Sequence, residues 1–412
     1  MLLCTVVAQA QKVHGNVYGG GNKGIVGGNT TVTVYGGEVQ NTFGGARMAN
    51  VGGRSFVNID GEKASENITI SSVYGGNDIA GTIGGSGEET TVPTELKNVL
   101  PPVLPEGKTR DDYPKKNAID NTWKTFVTTS RSSRVYNSET VEDKWITIGS
   151  LFGGGNGEYK YEEDESSGTD TTKTYNVYQL PKQAGDAAIA TITVDKDKDY
   201  LPVLDKTYLE IKAGNIAHIY GGGNNATVKV NTTINIDNKS DDCGQYISAY
   251  SAATGVAENL IFEAIKLKTN ISTFQANIDS YNFNHARVFG GNNKAEMAIR
   301  PTWNLQQGII RDLYSGGNQG AMTSPEGLLL EIDPAPLNTT ATPDETNDKE
   351  LIVQNVFGGC RMADVMPIVN GIYTPTTNLP GYNFPNELSA RLLVRGGHIK
   401  NVYGGNDITG KV

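Results

Sequence analysis

Cysteine is scarce in this chain: three in 412 residues, Cys4, Cys243 and Cys360, with no paired spacing. A disulfide framework or a zinc finger is thereby excluded as the basis of the fold. Basic charge is short as well, with 35 Lys and Arg against 45 Asp and Glu and a net charge of −10. That balance argues against a nucleic-acid surface or a polybasic membrane patch. No apolar run approaches the roughly 20 residues of a membrane-spanning helix. Catalytic signatures are missing too: the chain has no nucleophile-elbow serine, no HExxH and no P-loop. Its GGGN stretches lack the Lys and Ser/Thr that would make them phosphate cradles. The four histidines, His14, His218, His285 and His398, are scattered.

Glycine is what the chain has in excess, 50 residues against a usual share of about 7%. Much of it sits in one phrase written nine times: an aliphatic residue or threonine, an aromatic, then usually Gly-Gly and a small or polar residue. The aromatics are Tyr18, Phe43, Tyr74, Phe152, Tyr220, Phe289, Tyr314, Phe357 and Tyr403. Only Tyr314 is followed by a serine, Ser315, before its glycine pair. Residues 32–45 align without gaps to 392–405, each reading strand, glycine corner, short strand, glycine corner. Residues 209–222 and 305–316 fit the same frame, with Ala213-Gly214 and Gln307-Gly308 at the first corner. Thr31, Thr33 and Tyr35 alternate with Val32 and Val34, which is strand periodicity.

Repetition of this kind belongs to a solenoid, in which each unit buries its apolar face only by stacking on a near copy. The expected fold is all-β, a right-handed parallel β-helix solenoid with coils of about 25 residues, the spacing from Tyr18 to Phe43 and from Phe289 to Tyr314. Gaps of 78 residues (Tyr74 to Phe152) and 69 (Tyr220 to Phe289) require insertions or extra degenerate turns. Ten to thirteen coils would make a rod of roughly 50–60 Å. The paired glycines are expected to supply positive φ at the corners. Asn22, Asn77, Asn156, Asn224, Asn318 and Asn406 follow the pairs; asparagine tolerates left-handed geometry, and its amide can bond the copies above and below.

A longer repeat overlies the first. Residues 41–51 match 355–365 at eight of eleven positions, and residues 73–81 return as 402–410, in the same order. Two blocks of several coils therefore lie in tandem, and the abrupt stop at Val412 reads as a fragment of a longer protein. Residues 1–10 resemble the back half of a secretory signal peptide, with an apolar stretch and an Ala-x-Ala site but no basic start, so export is expected. Residues 11–412 form one domain. Loop insertions are expected near 86–145, 158–207, 237–286, 323–350 and 366–388. Within the third, residues 256–271 fit a helix or a strand equally.

Chemistry is harder to find. Asp195, Asp197 and Asp199 resemble the opening of a calcium loop but lack its turn glycine and bidentate Glu, and read as a solvated loop. Glu162 to Glu165 reads the same way. Asp78 and Asp407 recur at equivalent corners, as do Arg47 and Arg361; all four are weak binding candidates whose simpler role is to bond the neighbouring coil. Cys360 stands where the earlier copy has Ala46, as a small buried residue. Trp123, Trp145 and Trp303 beside tyrosines would bind glycan if they shared an exposed face.

Together the glycine-cornered coils, the aromatic and Asn ladder and the export signal resemble secreted bacterial parallel β-helix proteins, pectin-lyase-like in fold and often adhesin-like. The resemblance covers about half the chain. It implies a secreted or cell-surface protein, and more readily a non-enzymatic scaffold for glycan or a surface protein than an enzyme. No catalytic, cofactor or metal residue carries over. The alternatives are a polysaccharide lyase or hydrolase on the same fold, and a structural stalk in a longer surface protein.

Overall fold

The computed structural model describes residues 4–8, 12–61, 66–84, 123–130, 146–238, 285–332, 334, 351–373, 389–394 and 396–412. Among them there is no helix. The chain winds as a parallel β-helix, and each of the nine aromatic phrases closes one coil. Coil 1 holds β1 (Cys4–Ala8) and β2 (Lys12–Tyr18), coil 2 holds β3 (Thr30–Val34) and β4 (Gly37–Phe43), and coil 3 holds β5 (Ser55–Asp60) and β6 (Ile68–Tyr74). Coil 4 contributes β7 (Thr125–Ser130) and β8 (Ile146–Phe152), after which β9 (Lys160–Glu163), β10 (Thr172–Tyr178) and β11 (Ala190–Asp195) form a separate antiparallel sheet. Coil 5 has β12 (Val203–Ile211) and β13 (Asn215–Tyr220), and coil 6 has β14 (Thr227–Asp237) and β15 (His285–Phe289). In coil 7 a single strand, β16 (Thr302–Tyr314), serves both faces. Coil 8 follows with β17 (Leu328–Ile332) and β18 (Leu351–Phe357), then a two-strand ribbon of β19 (Ile368–Val369) and β20 (Ile372–Tyr373). Coil 9 closes with β21 (Ala390–Val394) and β22 (His398–Tyr403).

The first strands of coils 1–7 pair in parallel as one face, and those of coils 8 and 9 pair with each other as a separate two-stranded sheet. The second strands of all nine coils pair as another face. A third side is reduced to single bridges, such as Val26 to Val51 to Ile83 and Met297 to Met322 to Val365. Inward positions are aliphatic and fully buried, and stack as columns: Val32, Val57, Val127, Leu209 and Ile234 lie in register. Burying each such side chain contributes about 1.5–3 kcal/mol. Without a neighbouring coil most of that burial is lost, so the repeat is physically obligatory.

Several expectations change here. Tyr74 pairs directly with Phe152, and Tyr220 with Phe289, so no further coil is interposed in the stack across either long gap. Nine coils at the inter-strand spacing give a stack of about 38 Å, shorter than expected from counting residues. Two of the segments assigned to insertions contribute strands to the coils: β7 lies within 86–145 and β17 within 323–350. Within 158–207, by contrast, residues 160–195 do leave the stack. Most of the third insertion, including 256–271, Cys243 and Trp145 in the first, lies outside the described residues. Residues 4–8, read as part of an export leader, form β1 and pair with β3.

The glycines also divide differently. At the first corner the expectation holds: Gly37, Gly214, Gly308 and Gly397 have φ of 87°, 99°, 141° and 81°. The pair after each aromatic has no positive φ. Close approach crowds out a side chain in most inner coils, since a Cβ on Gly75 would lie 2.3 Å from the carbonyl oxygen of Gly153, and one on Gly153 2.3 Å from that of Gly221. Coil 7 alone carries a side chain at this place, the buried Ser315. The post-corner asparagines are not left-handed either; among the described non-glycine residues only Asn370 has positive φ.

Candidate functional site

The nine aromatic rings form one continuous column, each parallel to the next, with centroids 4.7–4.9 Å apart and interplanar angles of 2–13°. The rings pack among themselves, apart from the aliphatic core. Offset stacking of this kind contributes about 0.5–1.5 kcal/mol per pair beyond area burial.

Two columns of asparagine flank the corners, where the sequence suggested one. Asn77, Asn292 and Asn406 form the inner set. Their side-chain oxygens accept from the backbone N–H of Ala46, Gly223 and Cys360, each at 2.7 Å, and their amides donate to carbonyls of Ala49, Glu296 and Ala363. The outer set is a relay in which every amide donates towards coil 1. Arg361 donates to Asn318, Asn318 to Asn293, Asn293 to Asn224, Asn224 to Asn156, and Asn156 to Asp78, over 2.7–3.2 Å. A pure donor starts the relay and a pure acceptor ends it, so no amide is left with the wrong group facing it. Arg47 repeats the same step towards Asn22, at 3.1 Å. Asn292 and Asn293, three and four residues after Phe289, join the inner and outer columns although neither was among the asparagines named from the sequence.

Asp78 and Asp407 bind their own fold. Asp78 is 1% exposed and accepts from Tyr18, Asn156 and Tyr159 at 2.7–2.9 Å. Tyr314 donates to Asp407 at 2.8 Å, two coils away, as Tyr18 does to Asp78. The long repeat is thus a period of six coils, with coils 2 and 3 recurring as 8 and 9. Burial, reinforced by the Asp78 charge, holds the Tyr18 and Tyr159 hydroxyls far above the ordinary phenol range, so both remain donors.

Asp78 also anchors the sheet of β9–β11. Tyr161 donates to the Ile79 carbonyl at 2.6 Å, and Ile79 and Ala80 are buried against Val177 and Ile192. The equivalent Ile408 is 54% exposed. Between this sheet and coils 1–4 opens a pocket of about 600 Å3 lined by Gly15, Asn16, Gln40, Asn41, Phe43, Tyr74, Asn156, Glu158, Tyr159, Gln179 and Leu180. Asn41 donates to Asn16 at 2.9 Å, and Asn16 to the Tyr18 hydroxyl at 2.8 Å, so the amides are held in place by the ladder. Among the described residues, Glu158 is the only carboxylate of that lining; it pairs with Lys294 and accepts from Asn224 at 2.5 Å.

A second polar group lies on coils 5–7. Register aligns His218, Arg287 and Asp312 on adjacent strands. Arg287 and Arg311 share the Asp312 carboxylate at 3.6 and 3.1 Å, and Arg287 Nη1 lies 3.4 Å from His218 Nε2. Burial and then the Arg287 charge push the His218 imidazole below its ordinary pKa, so it is neutral at pH 7.

The remaining candidates fall elsewhere. Trp123 is 2% exposed and Trp303 packs on the core, so neither offers a flat glycan platform. Asp199 lies 3.9 Å from Lys229 and Asp197 3.3 Å from Lys198, while Glu162 and Glu163 pair with Lys182 and Lys173. Cys360 is fully buried, and burial pushes its thiol up to about 12. Among the described residues, no three His, Cys, Asp or Glu converge as metal ligands, and no helix is long and apolar enough to cross a membrane. No family model, no curated protein and no solved structure matches this chain.

Proposed function

We propose that this is a non-enzymatic binding scaffold of secreted or cell-surface type, adhesin-like, which holds a glycan in the pocket between coils 1–4 and the β9–β11 sheet. The observation that carries the reading is the pocket wall: five amide side chains (Asn16, Gln40, Asn41, Asn156, Gln179) beside the rings of Phe43, Tyr74 and Tyr159. Amides both donate and accept, as sugar hydroxyls do, so the wall can match a ring of hydroxyls group for group. Glycoside hydrolysis in its usual form needs two carboxyl groups about 5–9.5 Å apart across the bond. Among the described residues the pocket wall offers only Glu158, already committed to Lys294 and Asn224.

A glycan array probed with the whole chain, with sugar release followed in parallel, tests the reading. The expected result is retention without release, weakened at least fivefold by Gln179→Ala. Absence of binding to any glycan would overturn it. A polysaccharide lyase or hydrolase remains as a second reading because His218, Arg287 and Asp312 are aligned on coils 5–7. It requires release of unsaturated or reducing-end sugar that is lost in His218→Ala and kept in Gln179→Ala.

A further inference from the structure

We infer that the pocket selects neutral, hydroxyl-rich sugar and discriminates against uronate, sulfated or sialylated glycans. This rests on the binding reading above and goes further by fixing the charge of the ligand.

Among the described residues, those lining the pocket include no lysine and no arginine. Its one charged member is Glu158, and the Glu158 carboxylate is answered by Lys294. A second carboxylate, Asp78, stands directly behind the wall, hydrogen bonded to the lining residues Asn156 and Tyr159. The nearby guanidinium of Arg47 turns away, to Asn22 at 3.1 Å and to the carbonyl of Ile189 at 3.4 Å. An anionic sugar entering here would lose water, meet carboxylates and find no cation within the lining. A neutral sugar would exchange water for amides of matching donor and acceptor character. The arginines that face outward together, Arg287 and Arg311, belong to coils 6 and 7, beyond this wall.

Calorimetric titration of the full chain with three probes of equal length decides the matter: a neutral hexose oligosaccharide, an N-acetylhexosamine oligosaccharide and an oligogalacturonate. At least one neutral probe should bind tenfold or more tighter than the uronate, with little dependence on salt. Gln40→Lys, at an exposed position of the lining, places a cation in the wall. It should raise uronate affinity at least tenfold and so narrow or reverse the preference, while loss of the Gln40 amide weakens neutral binding. Uronate binding as tight as that of the neutral probes, or no uronate gain in Gln40→Lys while neutral binding persists, would overturn the inference and leave the binding reading standing. Binding of no probe, in a variant set that folds, would overturn both.

Discussion

At the scale of single residues, what matters most is how near the next coil lies. Gly75 and Gly404 occupy the same place in the repeat, after Tyr74 and Tyr403. A Cβ on Gly75 would sit 2.3 Å from the Gly153 carbonyl oxygen, whereas one on Gly404 would meet nothing within 4 Å. Gly75→Ala should therefore destabilise by about 3 kcal/mol or more, and Gly404→Ala by less than about 0.5 kcal/mol, as read from thermal or urea unfolding. Equal effects would contradict the packing explanation. A second residue-scale prediction concerns pH. Glu210 is 1% exposed on β12, and burial raises its carboxyl pKa despite Lys212 at 2.9 Å. The folded state then holds this proton more tightly than the unfolded chain. Stability from this group is fully present below the ordinary Glu value of about 4.3 and is lost as pH rises through the folded pKa. Glu210→Gln should remove that fall and raise the melting temperature at pH 7; a melting temperature lowered by the substitution at pH 7 would contradict it.

At the scale of elements, the corners bind strands together through side chains as well as through the backbone. In coils 2–6 the hydroxyls of Thr30, Ser55, Thr125, Thr207 and Thr232 donate across the coil to the carbonyls of Gly44, Gly75, Gly153, Gly221 and Gly290, at 2.6–3.2 Å. Coil 7 breaks this set: Pro301 takes the place of the hydroxyl, and its corner is the one that begins with Ser315. Asn77 adds two buried bonds at its corner, to the Ala46 amide and the Ala49 carbonyl. Asn77→Ala leaves the Ala46 N–H without its acceptor, and should cost about 2–3 kcal/mol in denaturant unfolding; a loss below about 0.5 kcal/mol would show that the inner asparagines are dispensable. The β9–β11 sheet is attached mainly by Ile79, Ala80, Val177 and Ile192. Val177→Asp should release it, giving rapid proteolysis within 160–195 while the coils stay protected. Resistance equal to that of the unaltered chain would show that this small core does not hold the sheet.

At the scale of the whole molecule, the coil order was legible because the aromatic recurs once per turn and nowhere else in that phrase. Tyr74 and Phe152 could be matched across 78 residues for that reason, although the sequence could not say whether extra turns lay between them. The reason for the paired glycines was half legible: left-handed φ can be guessed from composition, but the approach of a neighbouring carbonyl depends on three-dimensional stacking. Strands β7 and β17 were hidden by polar or proline-rich neighbours that blur strand periodicity. The pocket was not legible, because Asn16, Gln40 and Gln179 meet only after coil 1, coil 2 and the segment beyond β10 come together, and no motif spans them. The six-coil period, by contrast, was visible as a tandem block, and the structure gives it a physical basis in the Arg and Asp ends of the amide relay.

All of this depends on successive turns lying in register along one axis. Asn41 and Asn401 occupy one column, seven coils apart through Ser72, Ser150, His218, Arg287, Asp312 and Asn355. With the native cysteines replaced by alanine, spin labels at Asn41→Cys and Asn401→Cys should give one narrow dipolar distance distribution centred near 34 Å, seven inter-strand spacings. A broad distribution, or a centre below about 25 Å, would contradict the stacked-coil account.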